Sequence, residues 1–203
     1  MSARDTAYAA LAATRPRVAV TGDAVEHFMA RLRAQGGQCI RVKDDAEARA
    51  RIAALVRADD AQLLAAGDPW IDEVLALPGP ALPPRNESTR ANIRGMAIGT
   101  ALAAVAETGS LLLCPGRSTP MALHFLCDRL VVLLRTADVQ RNSEDLWARV
   151  RERFGDTPPR ALCLVSGPSS SGDIGMQFAT GVHGPIELHA IVVDGGSQAG
   201  KDA

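Results

Sequence analysis

Short, almost uninterrupted apolar runs of strand length, separated by helical segments, constrain this chain more than any other feature. The runs are Gln38–Val42, Gln62–Ala66, Ser110–Cys114, Leu130–Leu134, Ala161–Val165 and Leu188–Val193. Strands without polar alternation are typical of a parallel sheet that is covered on both faces. The sequence therefore predicts an α/β fold, with a mostly parallel sheet as the middle layer of a three-layer α/β/α arrangement.

The intervening helices carry recognisable start signals. Asp23 with Glu26 three residues later resembles a capping box, and Asp68 followed by Pro69 is a typical helix start. Ser143 is predicted to cap a later helix that buries one apolar face. That face comprises Leu146, Trp147, Val150 and Phe154. Further helices are predicted over Asp44–Val56 and Met121–Leu126.

The length of 203 residues suits one domain. We predict a flexible lead-in over residues 1–20, a single α/β domain over residues 21–194 and a disordered tail over residues 195–203. Residues 77–84 include four prolines, which predicts a loop between two lobes of that domain.

Composition argues against two classes of partner. The net charge is −1, Lys and Arg are scattered, and aromatic residues make up only 3% of the chain, so nucleic acid is not an expected partner. No apolar stretch approaches the roughly 18 residues that a membrane-spanning helix needs. We therefore expect no membrane insertion and a cytoplasmic location.

The four cysteines are dispersed along the chain, at Cys39, Cys114, Cys127 and Cys163. None forms a C-x-x-C pair, so neither zinc nor an iron–sulfur cluster has a local set of ligands. The dinucleotide fingerprint G-x-G-x-x-G is also missing from the sequence. The sequence predicts reduced thiols, no metal site and no cofactor bound by this chain.

The Gly-rich turn Gly167–Asp173 follows the predicted strand that ends at Val165. It is placed at a strand's carboxyl end, where open α/β sheets bind ligands. Its glycines permit unusual backbone angles, and Ser169 and its neighbours can cradle an anion. A solvated Ser/Gly turn is the alternative interpretation.

Glu107 is the only charged residue between Ala97 and Leu113, and it is followed by Thr108 and Gly109. A buried carboxylate would have a raised pKa, which suits a general base or a covalent nucleophile. A carboxylate that is paired with an amide or an arginine would only stabilise a turn. Both interpretations stay open at this stage.

A second Gly-rich turn, Gly181–Pro185, contains His183 and Gly184. Glycines and a proline flank His183 and would hold its ring in a rigid loop, where it could bind an anion or shuttle a proton. His189 lies inside a predicted strand, where a packed or edge-strand histidine is expected. His27 and His124 are interpreted as incidental helix residues.

Three separated motifs together carry a resemblance to a known family. They are Ala106-Glu107-Thr108-Gly109-Ser110-Leu111, Gly167-Pro168-Ser169 with Asp173-Ile174, and Gly181-Val182-His183-Gly184-Pro185 with Glu187-Leu188-His189. In order and spacing they resemble the lactate utilisation protein C family, the LUD domain. The resemblance covers about residues 85–194.

The resemblance implies a fold of the sugar-isomerase and CoA-transferase type (NagB/RpiA/CoA-transferase-like). It also implies an accessory, ligand-binding subunit in the oxidation of L-lactate to pyruvate, with iron–sulfur clusters in partner subunits. A small anionic ligand would then bind in one pocket. Its expected lining is Glu107, Thr108, Gly109, Gly167, Ser169, Asp173, His183 and Gly184. The alternative is a free-standing enzyme that acts on a phosphorylated or CoA-linked small molecule, with Glu107 as base or nucleophile.

Two positions depart from the family pattern. Ser170 stands where relatives usually have arginine, and Gly175 stands where they have glutamate, so an expected anion-binding charge is missing. Arg129 or Arg117 could supply that charge instead. A role outside lactate metabolism remains an alternative.

Overall fold

The computed structural model describes residues 19–60, 63–65, 68–86, 95–114, 121–157, 159, 161–172, 178–180 and 184–195. Most of the predicted lead-in and tail lie outside these ranges. The helices are α1 (Ala24–Ala34), α2 (Asp45–Leu55), α3 (Pro69–Ala76), α4 (Met121–Leu126) and α5 (Ser143–Phe154). A 3-10 turn spans Thr136–Asp138.

The strands alternate with the helices only in part, since several of the described strands follow one another with no described helix between them. They are β1 (Gln38–Val42), β2 (Leu63–Ala65), β3 (Arg85–Asn86), β4 (Met96–Thr100), β5 (Ala103–Val105), β6 (Ser110–Leu113), β7 (Arg129–Arg135), β8 (Val139–Gln140), β9 (Cys163–Val165), β10 (Ser170–Gly172), β11 (Phe178–Thr180) and β12 (Glu187–Val193). Asp23, Asp44 and Asp68 cap α1, α2 and α3 with their side chains.

The main sheet has six strands in the order β1-β12-β7-β4-β2-β3, and every pairing in it is parallel. Phe28 of α1 and Ala122 of α4 pack on one face of this sheet. Ile52 of α2 and Ile71 of α3 pack on the other face. This arrangement confirms the predicted three-layer α/β/α fold.

Two of the predicted apolar strands do not join the parallel sheet. β6 and β9 belong to a separate four-stranded sheet, in the order β8-β5-β6-β9, where β6 is antiparallel to both of its neighbours. Leu111 of β6 packs with the α1 face of the main sheet, whereas Leu112 packs against α5. β6 is thus buried on both faces, which gives it the same apolar sequence as a parallel strand.

Two predictions for the chain around α5 are wrong. Asn142, not Ser143, is the N-cap, because its side chain accepts a hydrogen bond from the Asp145 N–H at 2.9 Å. Trp147 is 40% exposed, since the buried stripe runs through Leu146 and Val150, one turn apart, and turns Trp147 outward.

The predicted burial of the strand Ala161–Val165 is wrong for Leu164, which is 51% exposed. The strand observed there, β9, is the edge strand of the second sheet. Leu164 lies on the solvent-exposed face of this strand, whereas Cys163 and Val165 on the other face are partly buried.

Because the strands of the main sheet are parallel, β1, β12 and β7 all begin at one edge, which we call the amino edge. At the opposite, carboxyl edge, the Thr100 hydroxyl donates to Asp68 at 2.6 Å, and the Arg135 guanidinium lies 2.9 Å from Asp45 and stacks over Trp70. The described part of the carboxyl edge thus carries helix caps and an ion pair.

Candidate functional site

The Glu107 turn and the Gly-rich turns meet at the C-terminal end of α1, at the amino edge of the main sheet. The Gln35 side chain there donates a hydrogen bond to the Thr108 carbonyl at 2.5 Å. The next residue, Gly36, packs on the Pro168 ring, because a Cβ built on Gly36 would lie 3.6 Å from Pro168 Cδ. We call the region around the hydroxyl groups of Thr108, Ser110 and Ser166 the hydroxyl corner.

Gly109 and Gly167 permit this close approach. Both have positive φ angles, 66° and 131°. A Cβ on Gly109 would lie 2.6 Å from the Leu32 nitrogen, and one on Gly167 would lie 2.5 Å from the Gln35 carbonyl oxygen. No larger residue fits at either position without a shift of the backbone of α1, so these glycines pack two turns onto a helix end.

The two Gly-rich turns are held together by their backbones. The Ser169 N–H donates to the Pro185 carbonyl at 2.9 Å. A Cβ on Gly184 would lie 2.9 Å from Ser169 Cβ, so the two residues are in direct contact. Two segments that the sequence assigned to one site are therefore neighbours.

Three hydroxyl groups form a chain through the corner. Thr108 Oγ1 lies 2.7 Å from Ser110 Oγ, which lies 2.6 Å from Ser166 Oγ. Thr108 is exposed, whereas Ser110 is buried, so the chain leads from solvent into the interior. Sequence reasoning did not include Ser110 or Ser166 in the site. The available signal was a serine at the end of each of two apolar strands.

Glu107 is half-buried, and its turn is stabilised by backbone bonds. The Glu107 N–H donates to the Arg141 carbonyl at 3.0 Å, and the Gly109 N–H donates to the Val105 carbonyl at 2.9 Å. The Glu107 carboxylate makes no hydrogen bond or ion pair with any residue that the structure describes. No described residue therefore occupies the carboxylate oxygens of Glu107, and a ligand could bind them.

Asp173 and His183 lie outside the described residues, as do Gly175 and Arg117. Their predicted contributions to the site remain predictions. The turn that contains Ser170 is shorter than the sequence indicated, because Ser170 begins β10 and pairs with Thr180 of β11. β9, which precedes the turn, runs antiparallel to its neighbour. The carboxyl-end rule for parallel sheets therefore does not apply to this turn.

The Arg129 guanidinium is buried within a cluster of charged groups at the amino edge. Its Nη1 lies 3.0 Å from Asp60 Oδ2, and its Nε lies 3.4 Å from Glu187 Oε2. The Arg129 and Asp60 side chains are only 4% and 3% exposed. The proposal that Arg129 replaces the missing anion-binding charge is therefore wrong, because two carboxylates already surround it.

Glu187 links this cluster to solvent. Arg57 donates to both of its carboxylate oxygens, at 2.7 and 2.9 Å. Burial by itself raises the pKa of Glu187, but hydrogen bonds from Arg57 and His189 outweigh it, so the pKa is lower than usual. Glu187 therefore remains ionised.

His189 Nε2 lies 3.2 Å from Glu187 Oε2. Burial lowers the pKa of His189, although the hydrogen bond to Glu187 opposes that shift. His189 is buried in β12, which confirms the prediction of a packed histidine.

His124 is not the incidental helix residue that the sequence suggested. It is 2% exposed, and neither ring nitrogen has a hydrogen-bond partner among the residues that the structure describes. A Cβ on Gly99 would lie 2.7 Å from its Nε2, so the ring rests on β4 where a side chain is missing. Burial lowers the pKa of His124 to about 4. The sequence signal was Gly99 within an apolar strand.

The described part of the chain contains neither a cluster of metal ligands nor a membrane-spanning helix. In that part, no three His, Cys, Asp or Glu side chains are grouped closely enough to hold a metal ion. The four cysteines form no disulfides, and burial raises the pKa of Cys39 to about 12. No helix within the described ranges is sufficiently long and apolar to cross a membrane.

Comparison with known proteins gives a consistent result. The family model described as the LUD domain matches residues 25–193. Lactate utilization protein C of Geobacillus kaustophilus is 31% identical over 91 residues, which cover 44% of this chain and 38% of that protein. The protein of the same name from Bacillus pumilus is 31% identical over 92 residues, with the same coverage. The matched segment thus spans less than two-fifths of these relatives.

A solved structure shares the fold. The crystal structure of a DUF162 family protein from Deinococcus radiodurans superimposes with a TM-score of 0.55 and covers 87% of this chain and 99% of that one. The two sequences are 21% identical. The likeness at this level of identity shows the fold.

Proposed function

Because this chain belongs to the LUD domain family, as its motifs predicted, we propose that it acts in lactate utilisation. In this proposal it is an accessory subunit that binds a small anionic ligand during the oxidation of L-lactate to pyruvate. The observation that carries the proposal is the match to proteins named lactate utilization protein C at about 30% identity.

The hydroxyl corner is the ligand site that we propose for this role. Glu107, whose carboxylate has no partner among the described residues, directly precedes Thr108 of the Thr108–Ser110–Ser166 hydroxyl chain. Hydroxyl groups both donate and accept hydrogen bonds, so the chain suits a ligand that carries oxygen atoms. An anion in the corner would bind to hydroxyl and backbone N–H donors. A described cation is also close by, because a Cβ on Gly109 would lie 2.8 Å from Arg31 Cβ.

The redox centres are assigned to partner subunits in this proposal. The four cysteines are too far apart in sequence to supply a local cluster-binding motif. Electrons from lactate would therefore pass through partner proteins that hold iron–sulfur clusters, while this subunit positions a ligand.

A gene deletion tests the metabolic role. We expect the deletion strain to lose growth on L-lactate and to keep growth on pyruvate. The wild-type gene and the matched surface variant Glu152→Gln, on the exposed side of α5, should restore growth, whereas Glu107→Gln should restore it only in part. Normal growth of the deletion strain on L-lactate would contradict the role itself. Full rescue by Glu107→Gln would contradict only the assignment of the site.

Affinity purification from lactate-grown cells tests the accessory role. We expect the tagged chain to retain proteins that contain iron and acid-labile sulfide. The iron–sulfur partnership would be contradicted if the deletion abolishes growth on lactate while the tagged chain is purified without any protein that contains iron and acid-labile sulfide.

The Glu107 carboxylate, which has no partner among the described residues, also favours a second candidate, an enzyme that acts on CoA thioesters. Its carboxylate would attack the thioester carbonyl, the carbon–sulfur bond would break, and CoA would leave as a thiolate that takes up a proton. The product on the protein would be a mixed anhydride at Glu107. Incubation with acetyl-CoA should then release free CoA and leave a hydroxylamine-sensitive acetyl group on the Glu107 peptide. Equal CoA release by wild type and Glu107→Gln would exclude this candidate.

A further inference from the structure

A cleft of about 410 Å³ lies along the edge strand β1, between the ends of α1 and α2. Its walls are aliphatic, with Ile40, Leu55 and Ile191 among the residues that line it. Volumes of this size are typical of sites that enclose small organic ligands. The cleft lies beside the hydroxyl corner but includes none of the residues assigned to it.

The polar groups of the cleft are cationic or neutral. Arg33, Arg51, Gln38 and His189 line it, and none of the described lining residues is acidic. A low-dielectric wall beside guanidinium groups attracts anions more strongly than the same groups do in open solvent.

Neither arginine has a close carboxylate partner among the described residues. Arg33 donates to the Cys39 carbonyl at 2.7 Å, which holds its guanidinium at the cleft. Arg51 has Glu47 at 3.9 Å, one turn earlier on α2, and this is the weak geometry of an exposed helical pair. Both guanidinium groups therefore have N–H donors to offer a ligand.

A hydrogen bond to Glu187 fixes the orientation of the His189 ring in the cleft. Its Nε2 is bonded to Glu187, and Glu187 is itself held by Arg57 and Arg129. A carboxylate only accepts hydrogen bonds, so in the neutral ring Nε2 carries the proton and Nδ1 is an acceptor. The imidazole is thus an oriented polar group between aliphatic walls.

We propose that this cleft binds a small organic anion, with its carboxylate or phosphate held by Arg51 and Arg33 and its apolar body between Ile40, Leu55 and Ile191. The aliphatic walls favour a molecule with a hydrocarbon portion over a bare inorganic ion. The site does not depend on the metabolic role proposed above, since no residue of the hydroxyl corner lines it.

Calorimetric titration of the full chain with four probes tests the site. Hexanoate and monohexyl phosphate carry both an anion and a hydrocarbon body, hexanol lacks the charge, and inorganic phosphate lacks the body. We expect one or both hexyl anions to bind at least tenfold more tightly than hexanol and inorganic phosphate. The tighter of the two anions identifies carboxylate or phosphate as the natural group.

Two variants locate the binding. Arg51→Gln should raise the Kd about tenfold, which corresponds to about 1.4 kcal/mol. The matched variant Arg151→Gln, an exposed arginine on α5, should leave the Kd unchanged. Ala54→Phe should fill the cleft from an exposed helix position and abolish binding without changing the melting temperature.

The proposal is wrong if neither hexyl anion binds more tightly than hexanol. It is equally wrong if Arg51→Gln and Arg151→Gln bind the anion alike. Chemical-shift changes in an ¹H–¹⁵N spectrum supply an independent location: they should centre on Cys39, Ile40 and Ala190, and shifts confined to residues outside the cleft would overturn the assignment.

Discussion

Arg129 and His124 are both buried against the parallel sheet, on opposite faces of it, and their burial is compensated in opposite ways. Arg129 is surrounded by Asp60 and Glu187 under the α2 face. His124 rests on Gly99 on the α1 face and has no hydrogen-bond partner in the described ranges. One side chain keeps its charge by pairing, and the other avoids a charge by giving up its proton.

The difference follows from the chemistry of the two groups. A guanidinium cannot lose its proton in a protein, so a buried arginine needs carboxylates. An imidazole can be neutral at ordinary pH, so burial costs it hydrogen bonds rather than a full charge. The Arg129 cluster therefore stabilises strand ends that are distant in sequence, whereas His124 is a buried polar group that the fold leaves unused.

The largest effect is expected for Arg129→Leu. This change leaves Asp60 buried without its cation, so the free energy of unfolding should fall by about 3–5 kcal/mol in urea denaturation. The double variant Arg129→Leu/Asp60→Leu should recover part of the loss, because it removes both charges. If the single variant lost less than about 1 kcal/mol of unfolding free energy, Asp60 would not depend on Arg129 to offset the cost of burying its charge.

His124 should give the protein a distinct dependence on pH. Its pKa is about 4 in the folded chain against 6.5 for a free histidine, so the unfolded chain binds the extra proton first as the pH falls. Stability should be highest above pH 6.5 and should decline towards pH 4. At about 1.36 kcal/mol per pKa unit, the decline attributable to His124 is about 3 kcal/mol.

Unfolding of His124→Leu at several pH values measures this contribution. The variant should lose that part of the pH dependence and should be as stable as the wild type, or more stable, near pH 5, because no unpaired polar group remains buried. Parallel pH profiles for the two proteins would contradict the assignment.

The smallest effect is expected for Arg57→Gln, at the exposed rim of the Arg129 cluster. Arg57 bonds the same Glu187, but its side chain is 55% exposed, so water and salt screen the interaction. The urea midpoint should shift far less than it does for Arg129→Leu. Equal shifts would mean that burial is not what separates the two arginines.

Much of the fold was predictable because its signals are local. The caps Asp23 and Asp68, and the strand Gln38–Val42, were predicted from residues within one or two turns of each other, and the structure has them at those positions. The sheet membership of Ser110–Cys114 and Ala161–Val165 was not predictable. Burial on both faces produces the same apolar run whether the neighbouring strand is parallel or antiparallel.

The candidate site was predictable only in part. The family motifs pointed to Thr108, Gly109, Gly167, Ser169 and Gly184, and the structure brings these residues together at the end of α1. The hydroxyl partners Ser110 and Ser166 were missed, since 56 residues separate them and no local pattern links them.

The sequence by itself determined the helices, half of the described strands and the family, because periodicity, capping and motif spacing act over short stretches of chain. Only the tertiary structure decided which charges are neutralised and which polar groups are left alone. Arg129 meets a carboxylate 69 residues away, and His124 meets Gly99, which precedes it by 25 residues (124 − 99 = 25). Such contacts depend on the path of the whole chain, which brings distant strands side by side and leaves no trace in the residues next to either partner.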